Sequence, residues 1–184
     1  MMMATSTEMT VVADRHLAAR EAADEQQYLT FNLAGEQYGI DILKVQEIRG
    51  WTPVTRIPNV PSFVRGVMDL RGAVVPIIDL RGRFNLDEVT YSNTTVVILA
   101  MVGQETGGRV VGLVVDGVSD VLDIRADDIQ PPPDFGAAVN TELLQRFVTL
   151  ATGMVLLLDM ERLLAVEELY GLAGAAALPG RLAA

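Results

Sequence analysis

The sequence predicts an all-β fold, a barrel or sandwich of many short strands. Apolar, β-branched runs recur at roughly ten-residue spacing with Gly or Pro between them. Helix-length amphipathic segments are missing between those runs, which excludes a doubly wound α/β arrangement. The 184 residues suit one domain, or two small ones sharing a core, at about 150 residues per domain. Half the residues are apolar and 21% are charged, so the chain has enough hydrophobic material to order itself.

Residues 1–26 are Ala-rich, polar and charged and read as a flexible tail, with a short exposed helix available to 14–27. Residues 27–168 form one domain of two β subdomains divided near 86–93, and 169–184 form a C-terminal tail. Residues 28–33 alternate at period two and turn at Ala34-Gly35-Glu36 into a partner strand at 37–40. A short helical piece follows at 41–44. Strands are expected at 45–49, ending at Gly50, and at 54–57, bracketed by Pro53 and Pro58. Residues 64–70 and 73–80 read as a hairpin joined at Arg71-Gly72. Pro76 inside it has no N–H for a ladder, so it implies an edge position or a bulge. The apolar run at 94–102 should be buried on both faces. A polar turn at 104–108 leads to strands at 109–115 and 118–124, read as a hairpin around Asp116-Gly117. Residues 141–146 read as helical. A last strand covers 154–158, and a helix with Asp159 as N-cap covers 159–170.

One tetrapeptide recurs: Asp69-Leu70-Arg71-Gly72 returns as Asp79-Leu80-Arg81-Gly82. It reads as two strand ends with the same turn chemistry. Trp51, the only tryptophan, lies in a loop as either a core lid or an interface anchor.

Composition removes most chemistry. No cysteine is present, which excludes disulfides, thiolate metal sites and a cysteine nucleophile. The only histidine, His16, lies in the tail. Residues 103–108 hold three glycines but no following Lys-Ser or Lys-Thr, so a hairpin turn explains them better than a phosphate loop. Asp116, Asp120, Asp123, Asp127 and Asp128 do not have calcium-loop spacing. A carboxylate-only β-barrel enzyme stays as an alternative. Without an 18-residue apolar run or a signal-peptide pattern, a cytoplasmic protein is expected.

The net charge is −10, from 14 basic and 24 acidic residues, which argues against a broad nucleic-acid-binding face. It is unevenly spread. Residues 49–83 hold Arg49, Arg56, Arg65, Arg71, Arg81 and Arg83 against Asp69 and Asp79; six minus two is +4, leaving −14 elsewhere. A basic patch rich in arginine suggests an acidic protein partner.

Ordered motifs then point to a family. The run from Glu36 to Gly50 (EQYGIDILKVQEIRG), Val54-Thr55-Arg56-Ile57-Pro58 and Phe63-Val64-Arg65-Gly66-Val67 come first. Leu70-Arg71-Gly72, Val75-Pro76-Ile77-Ile78-Asp79-Leu80-Arg81 and the stretch from Gly112 to Val121 follow. Together, over about residues 27–168, they resemble the bacterial chemotaxis coupling proteins of the CheW family. That resemblance implies two packed five-stranded SH3-like β-barrels with short helices and a C-terminal helix. It implies a non-catalytic scaffold without cofactor, joining the cytoplasmic tip of methyl-accepting chemoreceptors to the regulatory domain of the histidine kinase CheA. Recruitment to membrane-associated arrays follows from it. It places receptor contacts at Val45, Glu47 and Arg71, and kinase contacts at Val54, Gly66, Thr95, Val96, Gly112 and Val121. A coupling protein of a parallel motility or second-messenger kinase pathway shares these motifs. Two features depart from the family pattern: Asp69 replaces the usual Asn, and the loop at 103–108 is long.

Overall fold

Most of the described residues lie in strands joined by tight turns. The structure, a computed structural model, describes residues 25–87, 90–103, 107–131 and 144–164. β1 (Glu25–Leu33) and β2 (Glu36–Asp41) form the expected hairpin. Its turn residues, Ala34 and Gly35, hold φ of 53° and 86°, the left-handed pair whose twist suits a two-residue hairpin. A 3-10 turn (Ile42–Lys44) is capped by the Asp41 carboxylate and leads into β3 (Val45–Gly50). β4 (Val64–Leu70) and β5 (Ala73–Asp79) form the second hairpin, and one helical turn, α1 (Leu80–Arg83), follows. β6 (Val96–Val102), β7 (Arg109–Val115), β8 (Gly117–Arg125) and the short β9 (Ile129–Gln130) come next. β10 (Leu144–Leu150), β11 (Gly153–Leu158) and the turn α2 (Met160–Leu163) complete the described chain.

The strands form two sheets, ordered β8-β1-β2-β11-β10-β9 and β3-β6-β7-β5-β4. The edges of each sheet are consecutive in the chain, so each curls on itself as an SH3-like barrel. β8 runs through a 3-10 turn (Ala126–Asp128) into β9. The segment after β3 crosses to β4, where Thr55 and Val67 exchange two backbone hydrogen bonds of 3.0 and 2.8 Å.

Several expectations are corrected. The sheets do not divide the chain near 86–93. β3 to β7 form one barrel, inserted between the β1–β2 hairpin and the rest of the other. Asp116-Gly117 is not a hairpin turn. Asp116 donates its N–H to the Asn32 carbonyl, Gly117 pairs with Asn32, and the chain crosses to the other sheet. Residues 54–57 make one bridge rather than a strand, since the flanking prolines have no N–H to extend a ladder. Residues 144–146 are strand, not helix, because β11 offers a partner along its length; 141–143 lie outside the described residues. The tail ends earlier than expected, since Glu25 and Gln26 belong to β1, and the helix at 14–27 and the tail at 169–184 otherwise fall outside the described residues. The C-terminal helix is described only over α2, where Asp159 caps it as expected.

Pro76 sits on neither an edge strand nor a bulge of its own strand. β5 lies between β4 and β7. Val67, opposite Pro76, directs its backbone groups to Thr55, so the pair needs no hydrogen bond from proline. The parallel ladder to β7 begins one residue later, at Ile77. The bulge is in β4, between Val64 and Gly66.

The two barrels repeat each other. The β10–β11 ladder copies the β4–β5 ladder 80 residues on, from Val64↔Ile78 against Leu144↔Leu158 to Leu70↔Ala73 against Leu150↔Gly153, with the register shift at the same place. β5 pairs in parallel with β7, and β11 with β2. Asp79 ends β5 and Asp159 directly follows β11, and each caps the following helical turn.

Alternation explains the core. Val97 and Leu99 point into their own barrel with Val75, Ile77 and Val114. Ile98, Ala100 and Val102 point the other way, into a core shared with Phe31, Leu33, Ile40, Leu158 and Met160 of the second barrel. That barrel's own interior holds Tyr28, Ile124, Val148, Val155 and Leu157. The apolar run of β6 is thus buried on both faces, as its composition predicts.

Gly66 is the closure point. Its φ is +144°, and a Cβ there would overlap the Thr55 carbonyl. Gly66→Ala is expected to cost about 2–6 kcal/mol by overlap and backbone strain. Gly35→Ala meets open space and costs only its left-handed φ, about 1 kcal/mol. Urea midpoints of the two variants check this; equal losses would show that barrel closure at Thr55 contributes nothing.

Candidate functional site

The β4–β5 turn and the edge strand β3 bring two of the expected receptor residues together. Arg71 and Gly72 hold φ of 55° and 86°. Asp69 Oδ1 accepts the Gly72 N–H at 2.9 Å, so the departure from Asn at this position keeps the turn chemistry. The turn points Arg71 outward, with its side chain 86% exposed and its guanidinium 3.7 Å from Glu47. Glu47 also pairs with Arg49 at 3.3 Å, two residues along the same strand face. One carboxylate therefore sits between two guanidiniums at the surface. Exposed pairs of this kind stabilise by about 0–1 kcal/mol, so the cluster contributes more to surface pattern than to stability. Val45 begins β3, half-buried against the shared core.

Arg49 also reaches over the barrel end toward Met68 Sδ, at 4.0 Å. Arg49, Trp51, Met68 and Asp69 line a cleft of about 450 Å³ beside the Glu47 cluster. The sequence reading missed this grouping; the i, i+2 spacing of Glu47 and Arg49 on a strand was the available signal.

The residues expected to contact the kinase fall into separate places. Val54 and Gly66 lie at the closure of the five-stranded barrel. Thr95 and Val96 open β6 below the Trp51 loop, where the Trp51 N–H donates to the Thr95 carbonyl at 3.0 Å. Thr95 is buried, and its Oγ1 accepts the Ser92 N–H. Gly112 is buried too; a Cβ there would overlap Ile77 and come within 2.9 Å of Val97. Both are buried and shape strands rather than present surface of their own. Val121 stands apart, exposed on β8 in the other sheet.

The six arginines of 49–83 divide in half. Arg65 donates to Asp79 Oδ2 through Nε and Nη2, at 3.0 and 2.7 Å. Arg81 grips both Asp116 oxygens at 2.8 and 2.6 Å. Arg83 donates to the Leu163 carbonyl at 3.1 Å and lies over the Phe63 ring. Arg49, Arg56 and Arg71 remain exposed. The expected basic patch is therefore half as large as composition suggests.

Asp79 is nearly fully buried and gathers donors from Arg65, the Tyr91 hydroxyl and the Arg81 N–H. Tyr91 meets Trp51 edge to face at 4.4 Å. Trp51 packs half-buried against the interior cluster of this barrel, which holds Val75, Ile77 and Val97, in keeping with the lid reading, and its other side lines the cleft. Burial, then the Asp79 hydrogen bond and charge, push the Tyr91 hydroxyl well above its ordinary range. Burial acts to raise Asp116, but the Arg81 hydrogen bond, the Ala34 N–H and the Arg81 charge outweigh it and hold the carboxyl low.

The acidic run after Asp116 belongs to strand and turn chemistry. Asp120 Oδ1 accepts the Val121 N–H, and Asp123 accepts from Gln27 Nε2. Among the described residues no group of three His, Cys, Asp or Glu is placed to hold a metal ion, and no helix is long and apolar enough to cross a membrane.

Comparison with known proteins agrees with the residue reading. The family described as the CheW-like domain matches residues 27–168. The chain is 53% identical to the chemotaxis protein CheW of Klebsiella aerogenes over 144 residues, 78% of this chain and 84% of that protein. It is 34% identical to protein FrzA of Myxococcus xanthus, covering 71% and 79%. The crystal structure of the scaffolding protein TtCheW from Thermoanaerobacter tengcongensis superposes with a TM-score of 0.69 at 30% identity, over 78% of this chain and 95% of that one.

Two pH effects follow. A carboxyl held low stabilises the fold above its ordinary range, and that contribution is lost as pH falls through its folded value. Asp116→Asn is therefore expected to make the acid limb of stability shallower. Tyr91 is the opposite case: a hydroxyl held high contributes below its ordinary value of 10.0 and loses that contribution as pH rises beyond it. Tyr91→Phe is expected to cost about 1–3 kcal/mol at neutral pH and to flatten the alkaline limb. Urea midpoints across the pH range check both; parallel curves for variant and wild type would refute them.

Proposed function

The chain belongs to the family of CheW-like domains, and we propose that this chemotaxis coupling adaptor joins the cytoplasmic tip of a methyl-accepting chemoreceptor to the regulatory domain of the histidine kinase CheA. The family is one of non-catalytic adaptors, and this chain works by contact. The observation that carries the receptor side is the meeting of Glu47 and Arg71, brought from an edge strand and a hairpin turn to one exposed face. A carboxylate between two guanidiniums offers both signs of charge to a polar helical tip, with charge-assisted hydrogen bonds at either end. Val45 adds a half-buried apolar contact at the start of the same strand.

The kinase side is read at Val54, Gly66, Thr95, Val96, Gly112 and Val121. Val54 and Val121 offer surface; Gly66, Thr95 and Gly112 shape the strands that present it. Their distribution over both barrels suits a scaffold with contacts at two faces, which extends into an array by heterologous association. The adaptor acts in the cytoplasm and is recruited to receptor arrays at the membrane. A coupling protein of a parallel motility or second-messenger kinase pathway, which would share these motifs, stays as the second reading, below chemotaxis because of the 53% identity to a chemotaxis protein.

Arg71→Glu places two like charges together at an exposed turn. It is expected to weaken receptor-fragment binding at least about tenfold, the scale of one lost charge-assisted contact, while the melting temperature stays unchanged. Wild-type affinity in a pull-down would remove Arg71 from the receptor face. Reconstitution tests the whole reading: with receptor fragments and the kinase, the chain should raise autophosphorylation above receptor plus kinase alone, and no change would count against it.

A further inference from the structure

We infer that Lys44, Glu161 and the Gly103 backbone form a latch between the two barrels, a positioning contact through which docking on β3 reaches the second barrel. The inference rests on the receptor face proposed above.

The shared core carries two clasps built on the same plan. In each, the second residue of a helical turn pairs with the crossover by which the chain passes between barrels. Arg81, in α1, grips Asp116 between β7 and β8. Glu161, 80 residues later in α2, pairs with Lys44 between β2 and β3 at 3.0 Å. In each, the acidic member also accepts from the hairpin turn of the opposite barrel. Asp116 accepts the Ala34 N–H at 2.8 Å, and Glu161 accepts the Gly103 N–H at 3.0 and 3.2 Å. The signs are reversed: the helix supplies the cation in the first clasp and the anion in the second.

The two clasps differ in strength. Arg81 holds Asp116 through two parallel bonds, with side chains 14% and 29% exposed, and also donates to the Asp87 carbonyl. Lys44 holds Glu161 through one contact, with side chains 25% and 43% exposed. A planar guanidinium fork fixes geometry, whereas an ammonium is a point charge on a flexible stem. Water and salt also reach the second pair more freely. The barrels are therefore joined firmly at the Arg81 end and releasably at the Lys44 end.

The releasable end lies beside the proposed receptor face. Lys44 is the last residue of the 3-10 turn that leads directly into Val45. Gly103 follows β6, the strand that pairs with β3. Glu161 belongs to the other barrel, in the turn after β11. A partner that shifts the start of β3 must change the distance from Lys44 to Glu161, while the Arg81 clasp keeps the two barrels attached.

The test compares the wild-type chain with Glu161→Ala, Lys44→Glu and the exchanged pair Lys44→Glu/Glu161→Lys. Three quantities are measured: Gly103 amide hydrogen exchange in the free protein, affinity for receptor and kinase fragments, and kinase stimulation at saturating concentrations. Glu161→Ala should speed Gly103 exchange at least about tenfold by local opening. It and Lys44→Glu should leave both affinities within about twofold of wild type and lower stimulation by half or more. The exchanged pair remakes the ion pair but, because a lysine cannot accept the Gly103 N–H, should restore stimulation only in part with Gly103 exchange still fast, a separation that a loss of fold would not give. Unchanged Gly103 exchange overturns the latch, as does full stimulation by Glu161→Ala at wild-type affinity; both leave the adaptor reading standing. Failure of the wild-type chain to bind either fragment overturns that reading, and the latch with it.

Discussion

The parallel pairing of β2 with β11 is the contact on which the rest of the fold depends. It joins Gln37–Gly39 to Val155–Leu157, from opposite ends of the described chain. Without it the six-stranded sheet falls into two pieces, since β1, β2 and β8 would have no bond to β9, β10 and β11. Gly39 shows how tightly the pair is made: a Cβ there would come within 2.9 Å of Leu157. The other barrel is threaded in sequence between these partners, so the pairing closes a long loop that contains it. Each barrel buries one strand face in its own interior and gives the other to the shared core. The two are therefore one cooperative unit, despite having separate sheets.

Within that frame, equivalent positions in the two halves have diverged. The ladders, the register shift and the capping aspartates repeat 80 residues apart. The turns do not. Arg71 and Gly72 adopt left-handed backbone, while their counterparts Ala151 and Thr152 do not. Gly66, where barrel closure leaves no room for a Cβ, corresponds to Arg146 in the second ladder. Shared strand pairing thus sets the scaffold, and turn and edge residues distinguish one barrel from the other. The exposed Glu47 cluster arises only where an edge strand passes a left-handed arginine turn.

Local pattern made some elements legible and left others hidden. The hairpins at Ala34-Gly35 and Arg71-Gly72, the doubly buried β6 and the Asp159 cap all follow from period, turn chemistry and capping, which act over a few residues. What failed was decided by distant partners. Asp69-Leu70-Arg71-Gly72 and Asp79-Leu80-Arg81-Gly82 share a sequence but not a structure. The first is a two-residue hairpin turn; the second starts a helical turn. In both the aspartate accepts a backbone N–H ahead of it, so the local chemistry is common. The outcome differs because β4 returns directly to β5, whereas Asp79 is buried against Arg65 and Tyr91. Asp116-Gly117 has hairpin composition, yet Arg81, Ala34 and Asn32 hold it as a crossover. The residues of the candidate site were named through family resemblance. Its geometry was not legible, because Arg71 meets Glu47, and Met68 meets Arg49, only after β3 and the β4–β5 hairpin have been placed.

The division of the arginines also changes what the charge of the molecule can do. A net charge of −10 repels an acidic partner at a distance. The segment that composition marks as basic directs Arg65, Arg81 and Arg83 into contacts that hold the barrels together. What remains on the β3 face is Glu47 between Arg49 and Arg71, an arrangement with an excess of one positive charge. Salt confines such a small excess to about 8–10 Å, shorter than the reach needed to steer a large partner. Docked as proposed, such a face would select by pattern once contact is made. That suits a component held beside its partners in an assembly better than one that must find them by long-range attraction.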